Sequence, residues 1–336
     1  MKTKQIVFTE KNKAELLEKE LSEIKEGYVR VRLSRSSISS GTERANLTGE
    51  LNIKANGYLT EVKFPRYGGY SSAGTVIEVG EGVTEYKAGD RVALSWSQHS
   101  LFCDKGRSSV HRLPDNVSFA DGALVHIATF PLAAIRKCRL EIGESAIVMG
   151  LGVLGLIAVG LLKAGGACPV IAVDPDPRKR EKALSYGADF ALDPFEDGFA
   201  ERVKEICGGA NVAIEVTGNG NALDQVLDCM AEFGRVALLG CTRNSDFSID
   251  YYHKVHAPGI TLVGAHTMAR PKSESSAGLW TENDDADAVI KLISAGRLSL
   301  SSLVDEVHSP LEAPEVYTRL ATEKTFPVVQ FDWDKI

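Results

Sequence analysis

Nowhere does the sequence hold the ~18 to 20 uninterrupted apolar residues that a membrane-spanning helix needs. Its opening, Met1 to Glu10, has no apolar core of a secretory leader, so neither a membrane span nor export is expected. The longest apolar stretch, around Ile147 to Leu162, is broken by Gly150, Gly152, Gly155 and Gly160, which suits a nucleotide fold better than a bilayer. Basic excess is lacking too: the formal net charge is −7, the pI is near 5.6, and lysine and arginine are scattered. That balance argues against nucleic acid or an anionic membrane as partner and leaves a small molecule. The six cysteines (Cys103, Cys138, Cys168, Cys207, Cys229, Cys241) include no C-x-x-C pair. They read as reduced thiols of a cytoplasmic protein. Internal repeats and low-complexity tracts are also missing.

What is present is a chain of 336 residues, 44% apolar and 25% charged, long enough for two domains. The first ~120 residues favour short strands. Tyr28 to Leu33 alternates, Ala73 to Gly80 ends in a glycine turn, and Gly89 to Leu94 follows a turn signal. This part reads as a small antiparallel barrel. From about residue 128 the rhythm becomes strand, helix, strand. Strands are expected at Ala146–Met149, Val170–Val173, Phe190–Leu192, Val212–Val216, Val236–Leu239 and Ile260–Val263. Helices are expected near Val153–Ala164, Arg178–Tyr186, Phe199–Cys207 and Ala222–Ala231. Nearly continuous apolar strands alternating with helices imply a parallel sheet covered on both faces. Beyond Gly264 a helix should open at Thr281, which has capping-box spacing to Asp284. Another should start near Ser309 with Pro310 and Pro314 in its first turn, and 326 to 333 resembles a final strand.

Gly150-Leu151-Gly152-Val153-Leu154-Gly155 is G-x-G-x-x-G set between the first of these strands and an apolar helix. There the glycines let the backbone turn tightly and approach a pyrophosphate, whose charge meets the unpaired N–H groups of the helix start. Asp174 ends the second strand, ~20 residues beyond the turn, where a carboxylate accepts hydrogen bonds from the adenine ribose. It would repel a 2′-phosphate, which favours NAD over NADP. Arg178 and Lys179 lie close by, either as solvated charges or on the ribose or a phosphate.

Several local motifs together resemble the medium-chain dehydrogenase/reductase superfamily of zinc-type alcohol and sorbitol dehydrogenases. Ser40-Gly41-Thr42-Glu43 is similar to its C-G-[ST]-[DE], Gly69-Tyr70-Ser71-Ser72-Ala73-Gly74 to its G-H-E-x-x-G, and Gly89–Val92 and Leu113–Asp115 to two further stretches. The resemblance implies a doubly wound parallel Rossmann sheet inserted in a GroES-like β-barrel catalytic domain. The barrel domain would take 1–127, the NAD-binding domain 128–266, and the return segment 267–336. It also implies a homodimer or homotetramer. Ser40, Tyr70 and Ser71 stand at positions where the family has cysteine, histidine and glutamate, and His126 falls near the third ligand position. One imidazole and hydroxyls make a poor zinc site, and only Cys103 falls where the family carries a four-cysteine lobe. No metal is therefore expected, the rival being a rearranged site using His99, His111, His126 or His266. The pattern resembles a zinc-poor branch that includes bacteriochlorophyllide dehydrogenases. On the cofactor side, the resemblance assigns Thr129 to the nicotinamide neighbourhood. Thr217, Gly240, Cys241, Ala265 and His266 follow the carboxyl ends of strands, where ligands sit in such sheets.

Without a metal, hydrogen-bond donors and a general acid/base must act on the substrate oxygen. Tyr70 and His126 occupy former ligand positions, and a histidine can move the proton as hydride leaves. The plainer reading is that Tyr70 fills the metal's void and His126 is a satisfied cleft residue. Thr42 holds the family's relay hydroxyl, but the relay histidine position is Ala45. His99 is a second acid/base candidate, while Glu43 is expected to orient neighbours or pair with an arginine. Trp280 and the polar run before it suit a lid, a surface connection or a subunit contact. The function expected is NAD-dependent interconversion of a secondary alcohol, such as a polyol or sugar, and its ketone. Zinc-free enone or quinone reduction and a silent nucleotide-binding protein are the alternatives.

Overall fold

The computed structural model describes residues 1–50, 61–242, 245 and 247–336. They form two compact units, one of Met1–Ile127 with Ala286–Ile336, the other of Ala128–Asp285. Among the described residues, no helix is long and apolar enough to cross a membrane.

The first unit is built on a mainly antiparallel sheet with strands in the order Glu306–His308, Val329–Asp332, Tyr28–Ser37, Ser71–Val79, Arg91–Ser95 and Val110–Arg112. Phe102–Gly106 pairs back onto Tyr28–Ser37. Alternation along Tyr28–Ser37 drives Val29, Val31 and Leu33 into a core with Val92, Leu94, Phe331 and Trp333. A hairpin of Lys2–Glu10 with Lys13–Glu20 is absent from the strands read in the sequence. In its second strand only Ala14 is buried, so the two-residue period that betrays a strand is missing. The helix expected near Ser309 begins as a single tight turn, Pro310–Glu312, under a complete Ser309/Glu312 capping box. It then continues as Ala313–Thr322.

This unit carries a titration consequence. His111 is buried with Nε2 2.9 Å from Ser95 Oγ, and burial pushes its imidazole down to about 4. The unfolded chain binds a proton near pH 6.5 while the folded chain does not, so stability falls as pH drops from about 6.5 towards 4. About 1.5 kcal/mol should be lost between pH 6.5 and 5 through this residue, because the slope rises from about half of 1.4 kcal/mol per pH unit at pH 6.5 to nearly all of it once the unfolded imidazole is protonated. Urea denaturation at the two pH values should show that difference shrinking in His111→Gln. An unchanged difference would mean that His111 is not its source.

The second unit is a six-stranded, wholly parallel sheet. Its order is Phe190–Leu192, Val170–Val173, Ala146–Met149, Ala210–Glu215, Met230–Leu238, Thr261–Gly264. The order reverses between Ala146–Met149 and Ala210–Glu215, which opens a crevice at their carboxyl ends, the place where ligands bind in doubly wound sheets. Ala146–Met149 and Val170–Val173 are buried along their whole length, as strands covered on both faces must be. Asp176 caps the helix Pro177–Ser185 with its carboxylate on the Arg178 N–H. The helix expected over Ala222–Ala231 stops at Asp228, and Met230 already belongs to the next strand. Its apolar residues pack in the sheet core with Val226 and Leu227, so periodicity alone blurred the boundary. As its spacing to Asp284 suggested, Thr281 accepts from the Asp284 N–H at 3.2 Å at the start of the helix Glu282–Ser294.

Candidate functional site

The glycine turn sits at the crevice of the second unit. Gly150 has φ +97°, and a Cβ there would lie 2.7 Å from the Thr217 methyl across the strand reversal. Gly155 is closer still to its surroundings: a Cβ would stand 1.8 Å from the Gly150 carbonyl oxygen. By contrast, a Cβ on Gly152 would meet nothing within 4 Å, and no side chain caps the helix Val153–Gly165 that follows. Open space in front of an uncapped helix start is what a pyrophosphate requires, so these residues fit the phosphate end of a dinucleotide. Val153 is buried and Leu154 half-buried, both in the first helical turn. Gly155→Ala should displace the Gly150 carbonyl and weaken NADH binding at least ~10-fold, about 1.4 kcal/mol. A fluorescence titration giving the wild-type Kd would show that the turn absorbs the methyl.

Asp174 is buried. Its Oδ2 accepts the Leu151 N–H at 2.9 Å and its Oδ1 the Asp176 N–H at 2.9 Å. The carboxylate therefore braces the glycine turn as well as ending its strand, and each oxygen keeps a lone pair for a ribose hydroxyl. Lys179 Nζ stands 3.5 Å from Oδ2, whereas Arg178 is turned outward onto Asp176 at 3.0 Å.

Across the crevice stands Glu215, a buried carboxylate that was not among the candidates read from the sequence. Its carboxylate accepts from the N–H groups of Thr217, at 2.7 Å, and Gly218, and from the Thr217 hydroxyl. Burial pushes its carboxyl up while those hydrogen bonds oppose the shift. Thr217 is exposed, and Gly240 packs so closely that a Cβ would lie 2.1 Å from the Gly218 nitrogen. Cys241 is exposed beyond it. Ala265 is buried, donating its N–H to Leu238 O. His266 is half-buried and accepts the Met268 N–H on Nδ1 at 3.1 Å. Burial, helped by the Lys137 charge, pushes its imidazole down.

Two cations hold that segment. Lys137 donates to the carbonyls of Gly264 and Ala269, and Arg270 to those of Thr267 and Thr129. Thr129 itself is fully buried. Asp285, also fully buried, accepts from Arg136 Nε at 2.7 Å and faces Arg270 Nη1 at 3.7 Å. The Arg136 guanidinium stacks on Trp280 at 3.5 Å, so that ring is a platform for a structural cation.

In the first unit, three rings gather. His126 lies 5.5 Å from Tyr70 and 4.6 Å from Trp96, edge to face in each case, with Tyr70 and Trp96 5.9 Å apart. His126 is only 1% exposed, whereas Tyr70 is half-buried and Trp96 37% exposed. The Tyr70 hydroxyl donates to Ser39 Oγ. Ser71 spends its hydroxyl on the Ala123 carbonyl at 2.7 Å. A tetrahedral zinc does not fit this donor set: one imidazole, a phenol tied to a serine, and a hydroxyl engaged elsewhere. Among the described residues, no group of three or more His, Cys, Asp or Glu could hold a metal ion.

The other candidates are placed differently. Thr42 is half-buried in the helix Ser40–Thr48, its carbonyl accepting from Asn46 Nδ2 at 3.0 Å. His99 is fully buried, with Nδ1 2.7 Å from Ser36 Oγ and Nε2 3.1 Å from Glu43 Oε2. Among the described residues Glu43 pairs with no arginine: Tyr317 Oη donates to the same Oε2 at 2.5 Å, a partner 274 residues away that no sequence signal announces. Ser39 and Trp96 were missed too, although Trp96 lies in the same short segment as His99.

Residues 25–140 match the alcohol dehydrogenase GroES-like domain, and residues 153–282 the zinc-binding dehydrogenase domain. The chain is 27% identical over 248 residues to D-guloside 3-dehydrogenase of Escherichia coli K12, covering 73% of this chain and 70% of that protein. It is 29% identical over 274 residues to (R,R)-butanediol dehydrogenase of Bacillus subtilis, covering 73% and 74%. A short chain alcohol dehydrogenase of Escherichia coli CFT073, solved with its cofactor NADH, superposes with a TM-score of 0.83 at 18% identity, covering 98% of this chain and 99% of that one. The chain belongs to the zinc-type medium-chain alcohol dehydrogenase-like superfamily of oxidoreductases. The Rossmann and GroES-like architecture expected from the sequence is the one observed.

Proposed function

We propose that the protein is an NAD-dependent oxidoreductase that interconverts a secondary alcohol and its ketone without a catalytic zinc. The alcohol is a polyol, sugar or similar hydroxylated compound. The observation that carries this reading is the Tyr70–Ser39 hydroxyl pair with the Tyr70 ring against His126, Tyr70 and His126 being the residues that the resemblance sets at or near former ligand positions. Names of the relatives, a guloside and a butanediol dehydrogenase, support a polyhydroxylated substrate. Asp174 supports NAD, because a buried carboxylate at the ribose repels a 2′-phosphate.

The turn Gly150–Gly155 would hold the pyrophosphate and Asp174 the ribose. Thr129, Thr217, Gly240, Cys241, Ala265 and His266 would flank the nicotinamide. When bound, NAD supplies the hydride acceptor. This chain's residues do the rest. Tyr70 and Ser39 hold the substrate hydroxyl by hydrogen bonds, and His126 takes the proton released from that oxygen as the carbon loses hydride. His99 and Glu43 act behind them as positioning groups. On this reading residues 1–127 and 267–336 serve the substrate and 128–266 the nucleotide, in a cytoplasmic homodimer or homotetramer.

The test is NADH formation by chelator-treated protein across polyols, sugars and simple secondary alcohols, with NADP in parallel. Turnover with NAD on a hydroxylated compound supports the reading. Activity that returns only with added Zn²⁺ overturns the metal-free mechanism. Activity confined to NADPH-dependent reduction of enones or quinones replaces it with the reductase alternative, and binding without any turnover leaves a silent nucleotide-binding protein.

A further inference from the structure

We propose that Glu43 is the positioning residue of this site, resting on the reading above. It clamps the two backbone segments that present the Tyr70–Ser39 hydroxyl pair, and a sealed chain of donors running to Trp333 holds it there. One carboxylate oxygen, Oε1, accepts the Ser39 N–H at 3.0 Å and the Gly69 N–H at 3.2 Å. Ser39 is the acceptor of the Tyr70 hydroxyl, and Gly69 is the residue before Tyr70. A single oxygen thus fixes both ends of that pair. Close packing adds to the clamp: Gly69 has φ +87°, and a Cβ on it would lie 2.3 Å from the His99 nitrogen. The Ser97 N–H donates to the Tyr70 carbonyl and the His99 N–H to the Gly68 carbonyl.

The other oxygen, Oε2, accepts from His99 Nε2 and Tyr317 Oη. One assignment of donors and acceptors satisfies every member. Trp333 Nε1 donates to Ser36 Oγ at 2.8 Å, the Ser36 hydroxyl donates to His99 Nδ1, and His99 as its Nε2–H tautomer donates to Glu43. Tyr317 keeps its proton, because burial and the neighbouring Glu43 raise its phenol well above the ordinary range. Every member of this chain is at most 1% exposed. Their polar side-chain atoms are spent on one another, so the network acts only through Tyr70 and Ser39. His99 accordingly belongs to the support and not to the reacting groups.

Glu43→Gln is the discriminating variant. Its amide oxygen can still take the Ser39 and Gly69 N–H groups, but its NH₂ then faces two donors, His99 N–H and Tyr317 O–H. Misplacement of a reacting group by about 1 Å costs on the order of 10²-fold. Glu43→Gln should therefore lower kcat ~10 to 100-fold, with KM and the NADH Kd within twofold of wild type. Tyr317→Phe alone, which removes one of the two donors on Oε2, should lower kcat less than Glu43→Gln does. Combined with Glu43→Gln it should recover part of the loss, by removing one opposed donor. A second measurement needs no turnover: histidine-labelled NMR spectra, with His126 assigned by His126→Gln. His126 lies against the Tyr70 ring, so Glu43→Gln should move the His126 ring signals while leaving those of His253 and His308 unmoved. Unmoved His126 signals, or a kcat within twofold of wild type in active enzyme, overturn the proposal. So does a loss in Tm with KM and kcat changed together and no recovery in the double variant. If wild-type protein turns over no alcohol, the function reading fails while the NMR comparison still decides the role of Glu43.

Discussion

Asp285→Ala is expected to be among the most destabilising single substitutions in the second unit. It leaves the guanidiniums of Arg136 and Arg270, both largely buried, without their shared carboxylate. Removing one member of a buried ion pair costs about 3–5 kcal/mol, because the remaining charge stays desolvated. Burial pushes the Asp285 carboxyl up and the Arg270 guanidinium down, and the opposite charges facing each other work against both shifts. Thermal unfolding should shift by on the order of 10 °C. Asp285→Asn should lose less, since an amide oxygen still accepts from Arg136. The nucleotide affinity of surviving folded protein should fall as well, because Arg270 also ties the Thr267 and Thr129 carbonyls together. An alanine variant that melts within a degree of wild type would show that these cations find water instead.

His126→Gln should have the largest effect on turnover. If His126 takes the alcohol proton, its loss removes a general base worth about 10²–10⁴ in rate. Tyr70→Phe removes one hydrogen bond to the substrate oxygen and should cost about 10-fold, in the range of 0.5–1.5 kcal/mol for a neutral bond. The NADH Kd should be unchanged in both, since the glycine turn and Asp174 are untouched. A His126→Gln enzyme with wild-type kcat would remove it from the mechanism. Recovery of that variant by imidazole would strengthen the assignment.

How much of this was legible differs from residue to residue. The Gly150–Gly155 turn could be read in advance because its chemistry is local: a strand, three glycines and a helix start within ten residues. Asp174 was legible for the same reason, by its distance from that turn. Its hydrogen bond from the Leu151 N–H was not. The boundary at Cys229 was blurred because apolar residues of a helix and of a buried strand look alike. Glu43 was foreseen as an orienting residue, but its partners were not. His99 lies 56 residues away and Tyr317 274, and no single-sequence pattern encodes a contact at such range.

By itself, then, the sequence determined the alternation of strands and helices and the glycine turn between the first parallel strand and its helix, since each rests on residue type and short spacing. Only the tertiary structure decided which side chains meet. It put His99 behind Glu43 instead of in the open and set Tyr70 on Ser39 beside His126. It also buried Asp285 between two arginines. Those outcomes depend on the packing of strands far apart in the chain, where burial and the need to satisfy every buried donor select one arrangement among many that the sequence permits.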